Sequence, residues 1–290
     1  MAILFALASA AVYGAADFLG GIATRRARVA AIVTLAQGSG FLLLAVMLPF
    51  LPAASPTSAD LYWGAAAGIA GGVGVSLLYW GLAVGSMAIV APVSAICAVV
   101  IPAAASVLRG ERLGLETSGG IVLALVAIVL VSQQPVDAQA PEERVLARLR
   151  RGAPAGLGIA FLSGIAVGFF FLCLAETRRE AEMWPLLVAR GTSTLLFGSA
   201  AIVARVPLVW PRRVLALAAA GGGLDMVANA LYLLAARRGA LSVVVTLVSL
   251  YPASTVILAR LFLHERVGLT QGVGIVFALA AVFLIVGGGG

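Results

Sequence analysis

Three ionisable side chains, Asp17, Arg190 and Asp225, stand inside stretches that are otherwise almost wholly apolar. An ion at the centre of a membrane helix costs about 2.5–3.5 kcal/mol on insertion scales, so each is a candidate for pairing, substrate binding or ion coupling. Asp225 is followed by Asn229 and Tyr232, four and seven positions on. On a helix the three share a face. A carboxylate, an amide and a phenol in one stripe could line a polar cavity, bind a substrate amine or carry a proton. They could equally tie one helix to another by hydrogen bonds. Asp17 has Tyr13 one turn before it on the same face and lies roughly 8 Å inside the end of its run. It reads either as a cavity acid or as one that bonds neighbouring backbone. Arg190, about two turns into its run, needs an acid or several carbonyls unless it snorkels to the interface. Asp225, nearer the midplane, is the first choice of partner, and Asp17 sits towards the opposite face. Ser242, Thr246 and Ser249 form a milder stripe that could wall a cavity or simply bond its own helix. Glu176, His264 and Glu265 stand at the ends of apolar runs and read as caps or loop ion pairs.

Enzyme chemistry finds little here. The one histidine is His264, and Cys97 and Cys173 are far apart within apolar runs, where they read as packing residues. Neither a paired-cysteine framework nor a His-Glu-x-x-His or Gly-x-Ser-x-Gly motif occurs. An intramembrane aspartyl protease would need two catalytic aspartates, but Gly222-Gly223-Leu224-Asp225 departs from the Gly-x-Gly-Asp pattern of such enzymes. No catalytic residue, metal or cofactor is expected. A nucleotide-binding Gly-x-x-x-x-Gly-Lys loop is also missing, so the chain cannot be its own ATPase.

The elements that position these residues follow from composition. Of 290 residues 62% are hydrophobic and 11% charged, against roughly 25% charged in soluble domains. So few charges cannot cover a soluble surface, and the apolar residues must face lipid or other helices. About 20 apolar residues cross the hydrocarbon core. Ten runs qualify, roughly 2–23, 30–51, 61–83, 86–108, 113–132, 153–175, 184–205, 212–236, 240–263 and 267–287. The first is read as a span and not as a cleavable signal, for it lacks a basic leader. Most connections are short, with turns near Gly85 and at Arg109-Gly110-Glu111-Arg112. The long one, from Gln133 to Gly152, reads as a solvated linker or an interfacial helix. Pro92, Pro102 and Pro252 fall within spans 4 and 9, where each removes a backbone donor and should kink its helix. Carbonyls freed in this way must face protein or a wet cavity, which marks spans 4 and 9 as cavity walls. Gly68, Gly71, Gly72 and Gly74 in span 3, and Gly221 to Gly223 in span 8, permit close helix packing.

A shift of 154 residues overlays the two halves. Glu111-Arg112 falls on Glu265-Arg266, Gly114-Leu115 on Gly268-Leu269, Gly120-Ile121 on Gly274-Ile275, and Gly85 on Gly239. Five spans per half is an odd number, so the second half enters the membrane from the other side. The expected fold is an all-α polytopic membrane protein of ten transmembrane helices arranged as two inverted five-helix repeats. The repeats are 1–132 and 153–290, joined by 133–152. Inverted repeats place a transporter's substrate near the midplane between the halves.

The sequence resembles the drug/metabolite transporter superfamily, in its ten-span EamA branch. The resemblance rests on Tyr13-Gly14-Ala15-Ala16-Asp17-Phe18-Leu19-Gly20-Gly21, with Arg25-Arg26 after span 1, and on Leu250-Tyr251-Pro252-Ala253 in span 9. The paired junctions Gly110-Glu111-Arg112 and His264-Glu265-Arg266 add to it. Members export amino acids, nucleosides, drugs or other metabolites. The resemblance implies a central cavity walled by spans 1–4 and 6–9, with spans 5 and 10 at the periphery.

The expected function is therefore secondary transport of a small metabolite or drug, amino-acid-like solutes included, across the plasma membrane of a bacterial cell. The expected direction is export and the expected mechanism alternating access. The partners are a small-molecule substrate, the lipid bilayer and, as a candidate coupling ion, the proton on Asp17 or Asp225. A channel or a non-transporting receptor is the alternative. Nucleic acid is not an expected partner, because the basic residues are scattered among short loops and form no folded basic face. All 19 basic residues are arginine. Twelve fall on the side of the long central connection, six on the side of the termini, and Arg190 within a span. The positive-inside rule then puts the central connection in the cytoplasm and both termini outside.

Overall fold

The computed structural model describes residues 1–24, 27, 29–84, 87–111, 113–133, 156–205, 211–263 and 268–288. The long connection and the His264-Glu265-Arg266 junction lie outside the described residues, as do Arg25, Arg26, Gly85 and Arg112. Eleven α-helices follow one another among the described residues. They are α1 (Ala2–Thr24), α2 (Val29–Met47), α3 (Ser58–Val84), α4 (Met87–Leu108), α5 (Leu115–Ser132), α6 (Leu157–Ala175), α7 (Trp184–Val203), α8 (Arg212–Ala236), α9 (Leu241–Val248), α10 (Tyr251–Leu263) and α11 (Leu269–Gly288). Nine of the segments they form, with α9 and α10 counted together, are long and apolar enough to cross a membrane. The described apolar stretch of α4, Val93–Leu108, is shorter. Large apolar side chains such as Leu42, Leu195, Phe262, Leu279 and Phe283 are exposed, as lipid-facing positions of such spans must be. Backbone groups in lipid can be satisfied only within a helix or a closed barrel, and these apolar runs take the helical solution.

The helices pack as an inverted pair of halves. Position 120 corresponds to 274 and position 131 to 285 under the 154-residue shift. A Cβ built on Gly120 would meet the Ile285 side chain at 2.7 Å, and one on Gly274 would meet the Val131 nitrogen at 2.7 Å. Each glycine thus faces the symmetry counterpart of the other's neighbour, so α5 and α11 run antiparallel about a pseudo-two-fold axis. The other contacts obey the same exchange. α1 packs on α8 as α6 packs on α3, α2 on α8 as α7 on α3, and α1 on α9 and α10 as α6 on α4.

Close approach along α3 depends on the absence of side chains. A Cβ at Gly64 would lie 2.6 Å from the Pro185 carbonyl oxygen, and one at Gly68 would lie 2.9 Å from the Thr192 Cβ. Polar ties lock the helices further. Ser163 Oγ donates to the Gly74 carbonyl at 2.8 Å and lies 3.0 Å from Ser94 Oγ. Ser9 Oγ donates to the Ala228 carbonyl at 2.7 Å.

The prolines act unequally. Span 9 is broken at Ser249–Leu250, just ahead of Pro252. Ser249 N still donates to the Val245 carbonyl, whereas Leu250 N and Ala253 N make the shorter bonds to Leu247 and Leu250. A proline cannot supply the amide that would continue the helix, so the chain restarts as α10. The kinks expected at Pro92 and Pro102 do not break α4, which runs unbroken from Met87 to Leu108. The turn after α4 uses Gly110 at φ +94°, a conformation open to glycine at little cost. There Glu111 N donates to the Ser106 carbonyl at 3.1 Å.

Candidate functional site

A cavity of about 200 Å³ lies between the halves. Among the described residues, it is walled by α1–α4, α6–α8 and the broken region of span 9, while α5 and α11 contribute nothing to its lining. The glycines of α3 and α8, including Gly71, Gly72, Gly221 and Gly222, form part of the wall. Their missing side chains permit close packing around it: a Cβ on Gly71 would meet the Phe170 ring at 2.8 Å, and one on Gly72 the Phe197 ring at 3.2 Å.

The polar centre of the cavity joins both halves. Arg190 of α7 donates from Nη2 to the Asp225 carboxylate of α8 and from Nη1 to the Gln37 amide oxygen of α2. The guanidinium is thus satisfied by protein, as its burial demands. Only 9% of the Arg190 side-chain surface is exposed, against 35% for Asp225. The exposed part of Asp225 belongs to the cavity wall. Asn229 donates from Nδ2 to the Asp225 carbonyl at 2.7 Å and reaches its carboxylate at 3.3 Å. The Asn229 Oδ1 is buried and accepts no hydrogen bond from protein.

Asp17 and Tyr13 line the same cavity from α1. The sequence placed Asp17 towards the face opposite Arg190. In the fold it shares the cavity with the Arg190–Asp225 pair, yet among the described residues no cation or hydrogen-bond donor meets its carboxylate. Tyr13 packs against Tyr251 with ring centroids 6.2 Å apart and planes tilted by 53°. Phe170 and Phe171 add aromatic wall from α6.

Three residues expected at the cavity stand elsewhere. Tyr232 is fully buried, its hydroxyl donating to the Phe171 carbonyl at 2.6 Å. Helical spacing put it on the Asp225 face. However, seven residues carry it about 10 Å along the axis, beyond the cavity's end, where its ring lies 4.6 Å from that of Phe171. Ser242 donates its hydroxyl to the Glu111 carboxylate, and Thr246 donates to the Ser242 carbonyl at 2.7 Å. Both are fully buried. Of that stripe only Ser249 reaches the lining.

Two participants escaped the sequence reading. Gln37 is a neutral amide in a span, and its only signal was polarity amid apolar neighbours. Glu111 reads in the sequence only as part of a hairpin. Its carboxylate accepts from Ser106, from Ser242 and, at 3.1 Å, from the Leu241 amide that opens α9. Glu176 forms an ion pair with the exposed Arg109, the loop role expected of it. On the same side of the bundle, Arg178 pairs with the buried Asp60 at 3.0 Å. None of the cavity's lining residues belongs to this ion-paired layer on the side of the chain's termini. Towards the opposite side its lining extends to Gly20, Ile32, Leu78 and Ala218.

The sequence profile of the EamA-like transporter family matches residues 1–133 and again residues 154–287. A solved structure described only as the crystal structure of a protein superposes with a TM-score of 0.75 at 15% identity. The alignment covers 98% of this chain and 95% of that one, and the likeness is one of fold. No curated protein matches the chain in sequence.

Proposed function

The chain belongs to the EamA-like transporter family, and we propose that it is a secondary carrier that exports a small metabolite or drug by alternating access around the cavity between its halves. The chain is a multi-pass membrane protein. As a member of this family it is a transporter of small molecules and not an enzyme. The carrier reading rests chiefly on one observation: a cavity shared by two antiparallel halves, in whose wall Arg190 and Asp225 of one half meet Gln37 of the other. Rocking one half against the other exchanges the closed and open ends of such a cavity. The break in span 9 supports this mechanism, since interrupted helices recur at carrier sites.

The lining stops short of the layer that carries Glu111, Asp60 and Arg178 and extends the other way, which supports loading from the side opposite the termini. The positive-inside rule assigns that side to the cytoplasm, which agrees with export across the plasma membrane. Energy comes from exchange or from an ion gradient, with Asp17 and Asp225 as proton carriers in the second case. The test is entrance counterflow in reconstituted vesicles, using labelled amino acids, amines and dyes. Transient accumulation against a gradient is the mark of a carrier. Flux that neither saturates nor shows counterflow would indicate a channel.

A further inference from the structure

We infer that the cargo is a small organic cation, an ammonium group on an apolar or aromatic body, and that Asp17 is its counter-ion. This rests on the carrier reading above and names the substrate class of the same cavity. Among the described residues three charged side chains line the space: Asp17, Arg190 and Asp225. Arg190 is held by Asp225 and Gln37, so the cation and one acid neutralise each other. The Asp17 carboxyl remains, the one acid of the described lining with no basic side chain paired to it.

The unused hydrogen-bonding capacity has the same bias. Among the described residues Asp17 meets no protein donor, and the buried Asn229 Oδ1 is a second acceptor in the same position. The Arg190 guanidinium, the strongest donor set in the wall, already spends an N–H on Asp225 and another on Gln37. An anionic cargo would have to break the Arg190–Asp225 pair to find a cation and would leave Asp225 uncompensated, which is costly in a partly dry site. A cargo that brings N–H donors and positive charge breaks nothing. It also finds a suitable surface. Tyr13 stands one turn from Asp17 and packs on Tyr251, and Phe170 and Phe171 line the far wall. Aromatic faces attract cations, more strongly where water is excluded. An acid beside tilted aromatic rings in a narrow cavity therefore selects an ammonium over a neutral or anionic group of equal size.

The test uses probes with one phenyl body and different charge: phenethylammonium, phenylalanine, phenethyl alcohol and 3-phenylpropionate. Binding to the purified full-length protein in detergent is measured by calorimetry, with empty micelles subtracted. The inference predicts that phenethylammonium binds at least tenfold more tightly than the alcohol or the propionate, and more tightly than the zwitterion. Asp17→Asn should remove that preference, and Asp17→Glu should keep it. The inference is overturned if the propionate or phenylalanine binds as tightly as the cation, or if Asp17→Asn leaves the preference intact. Should Asp17→Asn fail to fold, the ranking on the unaltered protein decides the matter alone. Asp17-dependent cation binding without counterflow would remove the carrier reading and leave this inference standing. Counterflow of anions independent of Asp17 would do the reverse.

Discussion

Arg190 and Asp225 meet across adjacent helices in the cavity wall, and Gln37 from the other half completes the guanidinium's partners. The pair is unevenly buried, with 9% of the arginine and 35% of the aspartate side-chain surface exposed. Removing one partner of a fully dry pair costs about 3–5 kcal/mol, mostly because the other charge is left buried alone. The buried member here is the arginine. Asp225→Leu should therefore lower the melting temperature in detergent more than Arg190→Met does, since a lone Asp225 still reaches cavity water. Combining the two should recover part of the loss, as a double-mutant cycle reads directly. A double variant no more stable than Asp225→Leu would show that the charges are not coupled.

The α5–α11 contact offers a matched pair of glycines. A Cβ at Gly120 would press on Ile285 at 2.7 Å, whereas one at the adjacent Gly119 would meet nothing within 4 Å. Gly120→Leu should deplete folded protein in the membrane, and Gly119→Ala should leave it at wild-type level. Fluorescence-detected gel filtration distinguishes the two. Equal tolerance at both positions would mean that α5 and α11 do not pack along this face.

Glu111 clasps the start of α9 through the Leu241 amide and the Ser242 hydroxyl. An acid at a helix N-terminus satisfies orphan donors and opposes the dipole. Loss of such a cap costs about 1 kcal/mol. Glu111→Ala should lower the melting temperature by a few degrees, and Glu111→Gln, which keeps an acceptor, by less. A Glu111→Ala protein that melts like the wild type would show that the clasp adds no stability.

Orientation follows from the arginine distribution. A reporter active only in the cytoplasm should be silent when fused at Gly290 and active when inserted in the connection between α5 and α6. The opposite pattern would invert the assignment of the loading side.

The spans and the repeat were legible in the sequence because both rest on coarse signals, hydropathy and a constant shift of 154 residues. The Arg190–Asp225 pairing was legible for a different reason: the expense of an isolated ion in a membrane leaves few arrangements. Tyr232, Ser242 and Thr246 were misplaced because helical spacing gives a face and not a depth, nor does it say what the neighbouring helix offers. Tyr232 found the Phe171 carbonyl and Ser242 found Glu111, and both contacts are made by residues more than 60 positions away. Gln37 carried no energetic alarm, since a neutral amide is far cheaper to bury than an ion. The break in span 9 was written in Pro252, but the continuity of α4 through Pro102 was not.

The most direct test of the carrier account is entrance counterflow with the unaltered protein and with Asp225→Asn, side by side in vesicles. Asparagine keeps an oxygen for Arg190 to bond but removes the charge and the titratable proton. The variant should therefore reach the membrane folded. The account predicts transient accumulation of a labelled solute with the unaltered protein and at least a tenfold slower rate with Asp225→Asn. Equal rates for the two across a range of pH would contradict it, leaving Asp225 as a structural tie and the cavity around it without a part in transport.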